Sequence, residues 1–197
     1  MVNEILAVAR DDGLEFDPTA TTAATIRDDD LYGGVRTTVH GSLSTFVVQF
    51  HIDVNLGDPL WPTPEEIDVP RLLGGTPIRM RGYRIELILA EKIVTAIQRG
   101  TANTRWRDFV DIAALAHLDI NDGALVESIR RVAQFRQVPI RPLRDLLSGF
   151  PEIGQQRWAG WRRKQGLAAT TPAIFGDLVE DVITFADPLL RRAAPGQ

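Results

Sequence analysis

The sequence predicts an α+β protein: a small mixed sheet in an N-terminal lobe, then a helical C-terminal lobe. Three observations predict it. Residues 45–55 alternate apolar and polar side chains with period two. Residues 86–97 carry an apolar stripe at helical spacing. From residue 121 onward the apolar patterns are helical. The division is expected near residue 82, with a partial α/β lobe over 1–82 and a helical lobe over 83–197.

Residues 2–10 read as a short helix in which Ile5, Leu6 and Val8 are apolar, and Asp11-Asp12-Gly13 ends it. Leu14-Glu15-Phe16 begins an extended stretch, and Pro18 to Ala24 reads as a loop or one more turn. Val35 to Val39 is β-rich. Between Thr45 and Asn55, Phe46, Val48, Phe50, Ile52 and Val54 share one face, and His51, Asp53 and Asn55 lie together on the opposite one. Gly41-Ser42 predicts the turn of a hairpin. Over residues 57–82 the prolines 59, 62, 64, 70 and 77 exclude regular helix. Trp61 and Leu72-Leu73 are expected to pin that segment to the core, and Ile78 to Tyr83 reads as a short strand.

The next two segments carry the chemistry. Leu87, Ile88, Ala90, Ile93, Val94 and Ile97 form a wide apolar stripe, with Glu86 and Glu91 on either side and Lys92 at its margin. The turn Gly100-Thr101-Ala102-Asn103 stops this helix, and Thr104 is placed to cap the next. There Asp108 and Asp111 are three residues apart, so both carboxylates point to one face, while Phe109, Ile112 and Leu115 anchor the other. Further on, Asp122 is placed to cap a helix over 123–136 with Leu125, Ile129, Val132 and Phe135 inward. Pro139-Ile140-Arg141-Pro142 breaks it, and residues 143–147 form a short helix. Trp158 and Trp161 stand among Arg157, Arg162, Arg163 and Lys164 over 154–165. Tryptophans at that spacing fill a helix seam or stack a nucleobase. Thr171-Pro172 starts a final helix through Phe175, Leu178, Val179, Val182 and Phe185, and the tail after Pro188 is expected to fray.

The 197 residues suffice for one or two small domains with a real core. There is no cysteine, which removes disulfide scaffolds and thiolate metal sites and fits a reducing cytoplasm. No apolar run reaches about 18 residues, and no basic segment precedes an apolar core at the start, so neither a membrane span nor a signal peptide is expected. The net charge of −4 is unevenly spread. Residues 1–68 hold 13 acids and 3 bases, residues 79–107 hold 7 bases and 2 acids, and residues 130–164 hold 9 bases and 2 acids. Two basic stretches on an acidic protein suit an RNA backbone, solvated helix faces or contacts to an acidic protein.

A lysine on one helix beside an aspartate pair on its neighbour suits nucleotide chemistry, which needs a cation against the triphosphate and carboxylates to hold Mg²⁺ or orient the attacking hydroxyl. The same spacing also suits an interhelical salt bridge. Asp53 is expected to add a carboxylate on a central strand, the usual place for a third metal ligand or general base in this chemistry. His51 reads as a neighbour of that site, while His40 and His117 show no metal-ligand spacing.

The residues themselves then narrow the field. Ala90-Glu91-Lys92 and then Arg105-Trp106-Arg107-Asp108-Phe109-Val110-Asp111-Ile112 resemble the AbiEii-type nucleotidyltransferase toxins. So do Gly33-Gly34-Val35-Arg36, Phe50-His51-Ile52-Asp53-Val54 and Gly57-Asp58, in the family's order, over about residues 13–118. The resemblance implies a nucleotidyltransferase-like N-terminal lobe and a Mg²⁺-dependent toxin of a bacterial toxin–antitoxin pair. Such a toxin transfers NMP from an NTP to an acceptor, the tRNA 3′ end in a related mycobacterial group. It implies catalytic roles for Asp53, Lys92 and Asp108, with Asp53 on the metal, and nucleotide contacts for Arg105, Arg107 and Asp111. It implies a cognate antitoxin, a cytoplasmic location and no membrane.

One family element is not found: a Gly-Ser segment followed about ten residues later by Asp-x-Asp. Gly41-Ser42 has no such pair after it, and Asp28-Asp29-Asp30 reads as an acidic loop. The expectation is a chain that begins just downstream of that segment, or a shortened, catalytically impaired relative that acts as a protein- or RNA-binding module.

Overall fold

The computed structural model describes residues 4, 6, 13–26, 33–55 and 59–194. Glu4 and Leu6 are helical; the remainder of the expected helix over 2–10, the acidic run Asp28-Asp29-Asp30 and the pair Gly57-Asp58 lie outside the described residues. The chain is α+β and divides into two compact units, residues 1–58 and 59–197.

The first unit is an antiparallel sheet: β1 (Leu14–Phe16), β2 (Thr22–Ile26), β3 (Gly34–Leu43) and β4 (Phe46–Asn55). The long strand β3 is its centre. β1 and β2 pair with opposite halves of one edge of β3, and β4 pairs along the other edge from Gly34↔Asn55 to Leu43↔Phe46. The end of the segment Pro18 to Ala24, read as a loop or one more turn, is therefore part of a strand, Thr22–Ile26. The hairpin turn also shifts. It falls at Ser44-Thr45, with Ser44 at φ 55, and not at Gly41-Ser42. Gly41 serves β1 instead, since a Cβ there would stand 2.8 Å from the Glu15 carbonyl oxygen.

The second unit opens with a separate hairpin, β5 (Glu65–Val69) and β6 (Ile78–Gly82). Helices α1 (Ile85–Arg99), α2 (Trp106–Leu115), α3 (Asp122–Phe135), α4 (Leu143–Leu146), α5 (Phe150–Lys164) and α6 (Phe175–Ala193) follow. α1 packs on α2 and α3, and α6 packs on α2, α3, α4 and α5. The core is theirs. Trp106, Phe109, Phe150 and Phe175 meet ring to ring at centroid distances of 5.0–6.0 Å. Each such buried aromatic contributes roughly 2–3 kcal/mol by area alone.

Several local expectations change here. Asn121, not Asp122, caps α3, its Oδ1 accepting the Ala124 N–H at 2.9 Å. Phe135 stays 40% exposed, since α3 ends there. Trp61 does hold the proline-rich segment, with its carbonyl accepting from Ser128 Oγ and Arg131 lying 5.0 Å over its ring. Leu72 and Leu73 do not, because they sit fully exposed at the tip of the β5–β6 hairpin. The last helix begins at Phe175, since the Pro172 carbonyl is taken by Trp158 Nε1 at 3.1 Å. It also runs past Pro188 to Ala193, where Leu189, Leu190 and Ala193 are buried and Arg130 donates to the carbonyls of Arg192 and Ala193.

Candidate functional site

α1 buries Leu89, Ala90, Ile93 and Val94, and the helical period leaves Lys92 at the edge of that stripe, facing α2. Gly100, at φ 49, turns the chain out of α1. The device that starts α2 is Asn103, whose Oδ1 accepts the Arg105 backbone N–H at 2.8 Å; Thr104 makes no cap. Trp106, Phe109 and Ile112 then anchor α2 in the core, which turns Asp108 and Asp111 toward α1.

The carboxylates close on the amine. Lys92 Nζ donates to Asp108 Oδ1 at 2.8 Å and to Asp111 Oδ2 at 2.9 Å. Arg105 Nε donates to the other oxygen of Asp108. Side-chain exposure falls inward from 32% at Asp111 through 19% at Lys92 to 5% at Asp108. Burial pulls the Lys92 ammonium down, but the hydrogen bonds from it to Asp108 and Asp111 outweigh burial and raise its pKa. Burial likewise pushes the Asp108 carboxyl up, and Arg105 and Lys92 together hold it below its ordinary value. The cluster is thus two cations and two carboxylates, with Lys92 and Asp108 each held toward the charged form. Arg107, one turn before Asp111, is exposed and has no ion-pair partner among the described residues.

Asp53 stands in the first unit. Its strand, β4, pairs on one side only among the described residues, so it is an edge strand and not a central one. Asp53 lies directly opposite Arg36, whose Nε and terminal nitrogen each donate to one carboxylate oxygen at 2.7 Å. His51, two residues away on the same face, meets Thr38 Oγ1 at 3.1 Å through Nδ1.

Among the described residues no three His, Asp or Glu side chains gather into a ready-made cation site. Asp53 has a guanidinium across both oxygens, and Asp108 is shared between Lys92 and Arg105. The described donors therefore form no preassembled Mg²⁺ centre; an ion held mainly by nucleotide phosphates would need only one or two of these carboxylates.

Three residues about these sites were not singled out from sequence. Arg36 sits in the Gly-Gly-Val-Arg segment, and hairpin register would have placed it across from Asp53. Asn103 is 2% exposed; its Oδ1 holds Arg105 while its Nδ2 has no hydrogen-bond partner. Arg136 is also buried and reaches from α3 to Thr95 Oγ1 at 3.0 Å and the Glu91 carbonyl at 3.4 Å, beside Lys92 on α1. Nothing local in the sequence separates Arg136 from the exposed arginines around it.

The family profile described as Nucleotidyl transferase AbiEii toxin, Type IV TA system, matches residues 1–182. The chain belongs to the AbiEii nucleotidyl transferase toxin family. The matched stretch takes in both the Arg36–Asp53 pair and the Lys92 cluster. No curated protein and no solved structure matches the chain. AbiEii membership brings nucleotidyl transfer as the family's activity, with a nucleoside triphosphate as substrate and an antitoxin in the same system. No helix among the described residues is long and apolar enough to cross a membrane.

Proposed function

We propose that this AbiEii chain is a cytoplasmic toxin that moves a nucleoside monophosphate from a Mg²⁺-bound NTP to the 3′ hydroxyl of a tRNA. In that reaction the acceptor oxygen bonds to the α-phosphorus. The bond from that phosphorus to the bridging oxygen breaks, pyrophosphate leaves, and the acceptor hydroxyl gives up its proton.

The observation that carries the reading is the state of Lys92. Two of its three N–H donors are held by Asp108 and Asp111, which fixes the ammonium and leaves one donor for a phosphate oxygen. A cation held in place before the reaction stabilises charge developing on the leaving pyrophosphate without reorganising. Asp108 is the positioning residue, kept ionised and in place by Arg105. Asp111, the most exposed of the three, can exchange its bond to Lys92 for a ribose or acceptor hydroxyl. Arg107 is open to meet phosphate oxygens. Asp53 stays a candidate base for the attacking hydroxyl on the strength of the family match alone. Mg²⁺ is taken to arrive with the nucleotide, and no step is assigned to a protein-held ion.

The test is incubation of the full chain with each α-labelled NTP, Mg²⁺ and total tRNA. The expected result is label on tRNA for at least one nucleotide, lost in Asp53→Ala and Lys92→Ala. A folded wild-type chain that labels no RNA with any nucleotide contradicts the reading; label on protein instead would make the acceptor a side chain.

A further inference from the structure

The basic stretch over residues 130–164 divides sharply once folded. Arg130 holds carbonyls at the end of α6, Arg131 pairs with Glu127, Arg136 is buried against α1, and Arg144 pairs with Glu180. Arg162 is spent on the loop beyond α5, donating to Thr171 and to the Ala168 carbonyl. These arginines are structural. Arg141, Arg157, Arg163 and Lys164 are different: all four are exposed and none has a side-chain ion-pair or hydrogen-bond partner among the described residues. Of these, Arg157 and Lys164 share one face of α5 with Trp161.

The two tryptophans divide as well. Trp158 is fully buried against Phe175 and answers to the core. Trp161 stacks on it at a centroid distance of 5.4 Å but remains partly exposed. Positions 157, 161 and 164 are spaced i, i+4, i+7, so the three side chains form one strip along α5. No acid follows Glu152 in this helix. The helix dipole accounts for cations in the last turn, but not for Arg157 in the middle.

We propose that Arg157, Trp161 and Lys164 are the surface on which the single-stranded end of the acceptor RNA is held, an inference that rests on the RNA-acceptor reading above. Two unpaired cations two turns apart meet the phosphates of a strand, and the indole between them, braced from behind by Trp158, offers a stacking surface to a base. An acidic protein would use the cations and have no need of the indole.

The test is direct binding, with no triphosphate present, of a fluorescein-labelled single-stranded RNA of about 12 nucleotides to the full chain. Double reversal, Arg157→Glu with Lys164→Glu, is expected to weaken binding at least about tenfold at low salt. The milder Arg157→Gln/Lys164→Gln pair should lower the slope of log K against log salt by about 1.4, two phosphate contacts of about 0.7 each. Trp161→Ala should weaken binding about fivefold or more, and Trp161→Phe by less. RNA bound equally by wild type and both charge variants, no RNA binding at all, or RNA displaced equally well by polyglutamate of matched charge would each overturn the proposal. RNA held by the strip without nucleotidyl transfer would uphold it and contradict the chemistry instead.

Discussion

Asp108 is the residue on which the cluster turns, because it alone is shared by both cations and is almost fully buried. Asp108→Ala leaves a half-buried ammonium with one counter-ion and should destabilise the chain by about 3 kcal/mol in urea unfolding; a loss below about 0.5 kcal/mol would mean that the cluster is solvated. The sign of the pH dependence follows from the two shifts. The Asp108 pKa is depressed on folding, so its stabilisation is present above the unfolded carboxylate value of about 3.9 and is lost as pH falls through the lower folded value. The Lys92 pKa is raised, so its contribution is full below the unfolded value of about 10.4 and is lost as pH rises through the higher folded value. The stability gap between wild type and Asp108→Asn should therefore stay flat from about pH 5 to 9 and shrink below about pH 4; a gap that changes near neutrality would contradict these assignments. Asn103→Ala removes the acceptor for Arg105 but also relieves an orphaned donor, so a change of about 1 kcal/mol or less is expected.

At the scale of elements, packing decides what the periodic pattern leaves open. Gly154 faces the aromatic cluster, where a Cβ would stand 2.9 Å from the Phe175 ring and 3.3 Å from Trp106. Gly154→Ala should raise helix propensity and still lower stability by about 1–3 kcal/mol through overpacking; a rise in melting temperature would show that the cluster can relax. The β5–β6 hairpin behaves oppositely. Its cross-strand ladder sets Glu66 against Arg81 and Asp68 against Arg79 on one face, Ile67 against Met80 and Val69 against Ile78 on the other. Leu72→Asp with Leu73→Asp should leave the melting temperature unchanged, because both leucines are already in solvent. A two-residue apolar run looks the same in sequence whether it is buried or at a hairpin tip. For the same reason the helix past Pro188 was not legible. The proline is local, whereas its compensation, Arg130 from α3 and the burial of Leu189 and Leu190, comes from elsewhere in the chain. The turn was misplaced because Gly-Ser is a stronger local turn signal than Ser-Thr, yet Gly41 is needed for the approach of β1.

At the scale of the whole molecule, the candidate site was more legible than the elements around it. Lys92, Asp108, Asp111 and Arg105 could be named because helical spacing fixes which side chains share a face, and a short turn joins two such helices. The pairing of Asp53 with Arg36 was less visible, because it depends on strand register set by a turn three residues from the expected one. The division of the basic stretch between structural arginines and the open Arg157–Lys164 strip could not be read at all before the helices packed. The central claim is that the clasp around Lys92 is there for chemistry and does more than join α1 to α2. The most direct measurement is nucleotidyl transfer by Lys92→Met, which keeps the apolar stem while removing the charge, compared with wild type at matched folded fraction. Transfer falling at least about 100-fold while the variant stays folded is the predicted result. Wild-type transfer by folded Lys92→Met would reduce the cluster to an interhelical ion pair and contradict the account.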